Sequence, residues 1–236
     1  MRPPSYIAER LDSIRTAIAE AASAAGRRPE DIRLLAVSKQ QDQARILEAY
    51  RAGQQRFAEN FMQEAAPKLA SLSDTKIEWH FTGALQSNKA RYLPGRFAWV
   101  HSLASLRAAR RLSEAMATHA TRLSVLIEVN VSREPGKHGI VPGALPQFLE
   151  ELLSAQLGGL EYRGLMTVGP QTSDEHRKSA AFSELRDLAD RCRCEFDLAH
   201  FSELSMGMTD DFIHAIREGA TFVRIGRGIF GPRALT

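Results

Sequence analysis

Along the chain, short apolar runs of four to eight residues alternate with longer stretches in which apolar positions recur every three or four residues. The first kind of run predicts buried strands and the second amphipathic helices. An opening helix is expected from Ser5 to Ala25, where Ile7, Leu11, Ile14 and Ile18 share one face, and Gly26 is placed to end it. Strands are then expected at Arg33–Ser38, Gln55–Ala58, Ile77–Thr82, Phe97–His101, Ser124–Val131, Tyr162–Thr167, Glu203–Ser205 and Thr221–Ile225. Between them the helical pattern covers Gln43–Ala52, Phe61–Ser71, Gln86–Tyr92, Leu103–His119, Pro142–Ala155, Asp174–Arg191 and Asp210–Glu218. Ser102 before Leu103 and Thr209-Asp210-Asp211 before Phe212 read as helix starts.

Eight strand and helix units within 236 residues fit an α/β fold of one closed (β/α)8 barrel with an extra N-terminal helix. An open doubly wound sheet is the competing architecture. It carries its phosphate-binding glycines after the first strand, whereas the only such cluster here, Gly226, Gly228 and Gly231, follows the last. No linker, repeat or low-complexity segment divides the chain, so residues 1–236 are expected to be a single domain.

Composition narrows the classes. A hydrophobic content of 44% and a charged content of 25% are those of an ordinary globular protein. The formal charge is +3 and its basic residues are dispersed, which argues against a nucleic-acid surface. The acidic residues near the N-terminus and the absence of a long apolar run predict a cytoplasmic protein without membrane contact. Cys192 and Cys194, one residue apart, read as free thiols.

Barrel chemistry gathers at the carboxyl ends of the strands, so those ends are read first. Lys39 follows the apolar run LLAV and is either a surface lysine or an amine aimed into the barrel mouth, where desolvation would make it nucleophilic toward an aldehyde. Arg224 either pairs with a carboxylate such as Glu203 or faces a ligand ring. Ser205 reads equally as a phosphate donor and as a turn residue before Gly207. The glycines after the last strand have no room for a dinucleotide site, but they suit a phosphate approached by backbone N–H groups. A phosphate, a lysine and an arginine together describe a site for pyridoxal phosphate. The histidines, including His80, His101 and His138, lack metal-ligand spacing and are read as structural or exposed.

Eight segments, LLAVSK, FAEN, EWHFTGALQSNK, VHSL, EVNVSREPGKHGI, RGLMT, LSMGMTDDF and VRIGRGIFG, together resemble the YggS/PROSC family of pyridoxal phosphate homeostasis proteins. The resemblance implies a barrel like the N-terminal domain of bacterial alanine racemase, with pyridoxal 5'-phosphate as cofactor. It implies that Lys39 carries the cofactor as a Schiff base and that Arg224 faces its pyridine nitrogen. Ser205 and the backbone of Gly226 and Arg227 would hold the phosphate, with Val37, Asn60 and Met166 lining the ring. It further implies a role in keeping the free aldehyde low while supplying it to apoenzymes, which would be transient partners. Arg227 departs from the threonine or serine usual in the family, so its side chain either substitutes a charged contact or points away.

A carrier or regulator is expected rather than an amino-acid racemase. A racemase needs a second base, and none of Tyr6, Tyr50, Tyr92 and Tyr162 sits at an expected strand end. A monomer is expected because no domain of the kind that completes a racemase dimer is present. The loop SREPGKHG, with Lys137 taken as exposed, reads as a candidate lid or as an ordinary surface loop.

Overall fold

Parallel strands are normally covered on both faces, and the expected runs of this chain are buried by closing into a barrel under a layer of helices. In the computed structural model, which describes residues 6–232, eight parallel strands pair in sequence order, and β1 closes on β8. The strands are β1 (Arg33–Val37), β2 (Arg56–Glu59), β3 (Glu78–Phe81), β4 (Trp99–Leu103), β5 (Leu123–Glu128), β6 (Leu160–Met166), β7 (Glu203–Ser205) and β8 (Phe222–Ile225). The open-sheet alternative is thereby excluded.

Helices α1 (Tyr6–Ala24), α2 (Gln43–Arg51), α3 (Met62–Ser71), α4 (Ser87–Ala90), α5 (Leu106–Met116), α6 (Leu145–Ser154), α7 (Glu175–Glu195), α8 (Phe212–Arg217) and α9 (Arg227–Phe230) complete the described chain. The expected helix start at Ser5 lies outside the described residues. Helix α1 buries Ile7, Leu11 and Ile18, with Ile14 packed at the margin of the same core.

Two apolar layers result. Alternate strand residues such as Ala36, Phe57, Phe81, Val100, Val223 and Ile225 face outward into one large core beneath the helices. The other set faces inward, where the apolar cluster is small: Leu35, Ala58 and Phe222, with Val37 and Trp99 against it. The remaining interior positions are polar, and these reach the candidate site.

Several expected boundaries shift. Ser102 belongs to β4, and its hydroxyl donates to the Gly83 carbonyl at 2.5 Å; the helix cap is Ser105, which accepts from the Ala108 amide at 3.2 Å. Leu103 still pairs with Ile127, so the strand outlasts the point at which a helix was expected. The helix expected over Pro142–Ala155 divides into a short 3-10 turn, Pro142–Ala144, and α6. Only one helical turn, α4, forms in the segment Gln86–Tyr92. No described helix is long and apolar enough to cross a membrane.

Candidate functional site

At the carboxyl ends of the strands lies a cavity of about 980 Å³. It is lined by Val37, Lys39, Asn60, Met166, Arg224, Gly226 and Arg227, all expected site residues. Ser205 is the exception. It is completely buried below the cavity, accepting a hydrogen bond from Arg224 Nη1 at 2.8 Å and lying 2.8 Å from His101 Nδ1.

Lys39 sits in the turn just beyond β1. The ladder runs one residue past the strand, through the Ser38 amide to the Ala58 carbonyl at 2.9 Å. Beneath that turn, Lys68 Nζ donates to the Ser38 carbonyl at 2.8 Å and to Glu59 at 2.9 Å, and Ser38 Oγ donates to Glu59 at 2.6 Å. Glu64 accepts from Lys68 at 2.6 Å and also from the Gln40 amide. Burial pushes the Glu59 carboxyl up, opposed by its bonds to Ser38 and Lys68. The backbone on both sides of Lys39 is therefore tied to a buried charged cluster.

Arg224 rises from β8 and is 5% exposed. Besides Ser205, it donates to the Thr167 carbonyl through Nη2 at 2.7 Å. Burial draws its pKa down to about 10, with the charges of Asp211 and Glu128 opposing the shift, so it remains a cation at neutral pH. Glu203 is not its partner; that carboxylate pairs with Arg33 at the opposite mouth of the barrel. Asn60 Oδ1 accepts from Thr82 Oγ1 at 3.1 Å, which fixes its amide at the cavity wall.

The terminal glycines build a single helical turn, α9, rather than a dinucleotide loop. Strand β8 and helix α1 pack so closely on the turn that a Cβ on Gly228 would lie 2.8 Å from Ile225 Cγ2 and 3.2 Å from Ile14 Cδ1. The Gly228 amide approaches Thr209 Oγ1 at 3.4 Å, and Arg10 of α1 donates to the Arg227 carbonyl at 3.1 Å. The Arg227 side chain resolves its two expected alternatives by pointing to the rim, where Nη2 donates to Asp210 Oδ2 at 2.5 Å.

Sequence reasoning missed Thr209 and Asp211, which also line the cavity. In the sequence both stand where a helix start is expected. Asp211 makes no side-chain cap; its Oδ1 accepts from the Met208 amide at 2.5 Å, and burial pushes its carboxyl up. The loop Ser132–Gly139 is also held more firmly than expected. Lys137 is largely buried and donates to the Gly169 carbonyl at 2.9 Å, while Glu134 pairs with it at 2.9 Å.

A closed barrel whose carboxyl end carries an amine, a buried guanidinium and a helical turn defines a class, and residues 10–234 match the family model "Alanine racemase, N-terminal domain". The chain belongs to that family, among its pyridoxal phosphate homeostasis proteins. It is 44% identical over 229 residues to the pyridoxal phosphate homeostasis protein of Pseudomonas aeruginosa, covering 97% of this chain and 96% of that protein. The protein of the same name from Escherichia coli K12 is 39% identical over 230 residues, covering 96% of this chain and 97% of that protein. PipY of Synechococcus elongatus PCC7942, solved with PLP bound, superposes with a TM-score of 0.84 at 37% identity, covering 95% of this chain and all of that one. An alanine racemase from Corynebacterium glutamicum shares the fold, with a TM-score of 0.64 over 96% of this chain and 62% of its own length.

Proposed function

We propose that this chain binds pyridoxal 5'-phosphate through Lys39 and serves intracellular homeostasis of that cofactor, releasing it to apoenzymes, rather than catalysing amino-acid turnover. The observation that carries the reading is the convergence of Lys39, Arg224 and the Gly226–Arg227 turn on one cavity. Pyridoxal phosphate supplies an aldehyde that condenses with a primary amine with loss of water, an aromatic ring with a basic nitrogen, and a phosphate. The residues fit each part. Lys39 offers the amine, held in place by the Ser38–Lys68–Glu59 cluster. Arg224 offers a cationic donor to the ring nitrogen and cannot pass a proton to it at neutral pH, which limits the cofactor as an electron sink. The Arg227 and Gly228 amides precede the bonds that Ile229 and Phe230 make to the Gly226 carbonyl, and Thr209 adds a hydroxyl beside them; together these suit a phosphate. Val37 and Met166 supply apolar walls.

A carrier is favoured over a racemase because none of the four tyrosines lines the cavity. Tyr6 and Tyr92 are exposed, and the Tyr162 hydroxyl is pushed up to about 12 by burial. The test is borohydride reduction of the protein with added pyridoxal phosphate, followed by peptide mapping. The phosphopyridoxyl group is expected on Lys39 and is expected to be lost in Lys39→Ala; label spread evenly over surface lysines would overturn the reading.

A further inference from the structure

Across the barrel interior, beneath the cavity, five side chains from four strands join end to end. Arg224 Nη1 lies 2.8 Å from Ser205 Oγ, and Ser205 Oγ lies 2.8 Å from His101 Nδ1. His101 Nε2 is 2.9 Å from His80 Nδ1, and His80 Nε2 is 2.8 Å from Glu78 Oε1. Both histidines and Ser205 are inaccessible to solvent, whereas Glu78 is partly exposed at the amino-terminal mouth, 3.3 Å from Arg56. The column thus spans the barrel from one end to the other.

We propose that Glu78, His80, His101 and Ser205 form a hydrogen-bond column of fixed polarity that positions Arg224 under the cavity, with every proton pointing from Arg224 toward Glu78. The ends dictate the direction, because an arginine only donates and a carboxylate only accepts. Glu78 takes the proton of His80 Nε2, so neutral His80 presents Nδ1 as an acceptor. His101 must then carry its proton on Nε2, which leaves its own Nδ1 to accept from the Ser205 hydroxyl. Ser205 has its hydrogen committed to His101 and turns a lone pair to Arg224.

Three further observations agree with this polarity. Burial pushes both imidazoles toward their neutral forms, His101 more strongly. The bond to His80 holds the Glu78 carboxyl low, with the charges of Arg56 and Arg33 assisting, and so keeps it an acceptor. His80 stacks on Trp99, with ring centroids 5.9 Å apart and planes 9° from parallel, and both imidazoles meet the edge or face of Phe222, so neither ring is free to flip. A chain of aligned hydrogen bonds polarises itself. The partly exposed carboxylate therefore acts on a guanidinium that no described carboxylate touches directly. His80 and His101 are positioning residues, and Ser205 acts on Arg224 rather than on a phosphate.

The polarity of the column stands independently, whereas its use on a ring nitrogen rests on the function proposed above, and the two are tested separately. Long-range proton–nitrogen NMR of the cofactor-free, histidine-labelled chain at neutral pH is expected to show both buried rings neutral and protonated on Nε2. A charged ring, or a proton on Nδ1 of His101, would overturn the proposal whatever the cofactor. In Glu78→Leu, the fixed end is lost, and both rings are expected to become tautomer mixtures. The affinity for pyridoxal phosphate is expected to fall about tenfold, the order of one charge-assisted hydrogen bond. Glu78→Gln keeps an accepting oxygen and is expected to restore both readouts to within about twofold. Unchanged tautomers and affinity in Glu78→Leu would refute the coupling; if that variant fails to fold, the wild-type tautomers still decide.

Discussion

Lys68 Nζ donates at 2.8 Å to the carbonyl of Ser38, so a buried lysine of α3 holds the backbone on which the neighbouring Lys39 is mounted. The same ammonium neutralises Glu59, which is wholly buried. Removing one member of a buried ion pair leaves a charge without compensation. Lys68→Met is therefore expected to cost about 3–5 kcal/mol in urea unfolding. Adding Glu59→Leu to it is expected to recover most of that stability but not the cofactor affinity, because the Ser38 carbonyl stays untied.

Acidification bears on the two interior histidines. Both have folded pKa values below the ordinary 6.5, so the unfolded chain takes up protons first as pH falls. Their contribution to stability is fully present above about 6.5 and is lost as pH drops through the folded values, by up to about 1.4 kcal/mol per pH unit for each ring. The buried carboxyls of Glu59, Glu128 and Asp211 are shifted up and act in the opposite direction, their contribution growing toward low pH. Urea midpoints measured between pH 7 and 5 are expected to show a shallower slope in His101→Gln than in the parent chain.

At the rim, the Arg227–Asp210 pair is well exposed, with side chains 62% and 73% accessible. Such a pair adds under about 1 kcal/mol of stability. Arg227→Ala is expected to leave the unfolding midpoint nearly unchanged yet weaken pyridoxal phosphate binding about threefold, since Asp210 then stands unpaired near the phosphate side. Arg227→Ala with Asp210→Asn is expected to bring the affinity back, as titration by absorbance would show.

Gly228→Ala would place a methyl within 2.8 Å of Ile225 Cγ2 and 3.2 Å of Ile14 Cδ1. Overfilling of this kind costs about 1–3 kcal/mol. The expected outcome is a lower thermal midpoint together with loss of cofactor retention, because relief requires α9 to shift from its place against β8 and α1. Retention at the parental level would show that the turn takes no part in holding the phosphate.

The barrel was legible in the sequence because its strands are short buried runs with a continuous apolar outer face and its helices carry a clear three-to-four spacing. Boundaries failed where a polar residue had two local readings. Ser102 and Ser105 both precede helix-like sequence, and only the Leu103–Ile127 pairing shows that the strand continues past the first. Asp211 looked like a cap, but its carboxylate turns back to Met208 and leaves it on the cavity. Lys39, Asn60, Met166, Arg224 and the glycine turn were readable as strand-end residues. Ser205 was readable as important but not as buried, because what consumes its hydroxyl comes from β4, more than a hundred residues away. The alternation Glu78-Trp79-His80-Phe81 did carry the signal that the histidine faces inward. Its partners became visible only once strands distant in sequence were closed into one ring.

Helix α1 belongs to none of the eight repeating units, yet its Arg10 and Ile14 brace α9, more than two hundred residues later. The turn at the cavity therefore has its support only when both ends of the described chain are in place. The pocket is finished only when the earliest and latest described helices meet. The cavity wall at Gly226 and Arg227 thus rests on a contact between the two ends of the described chain, so loosening either end loosens the site.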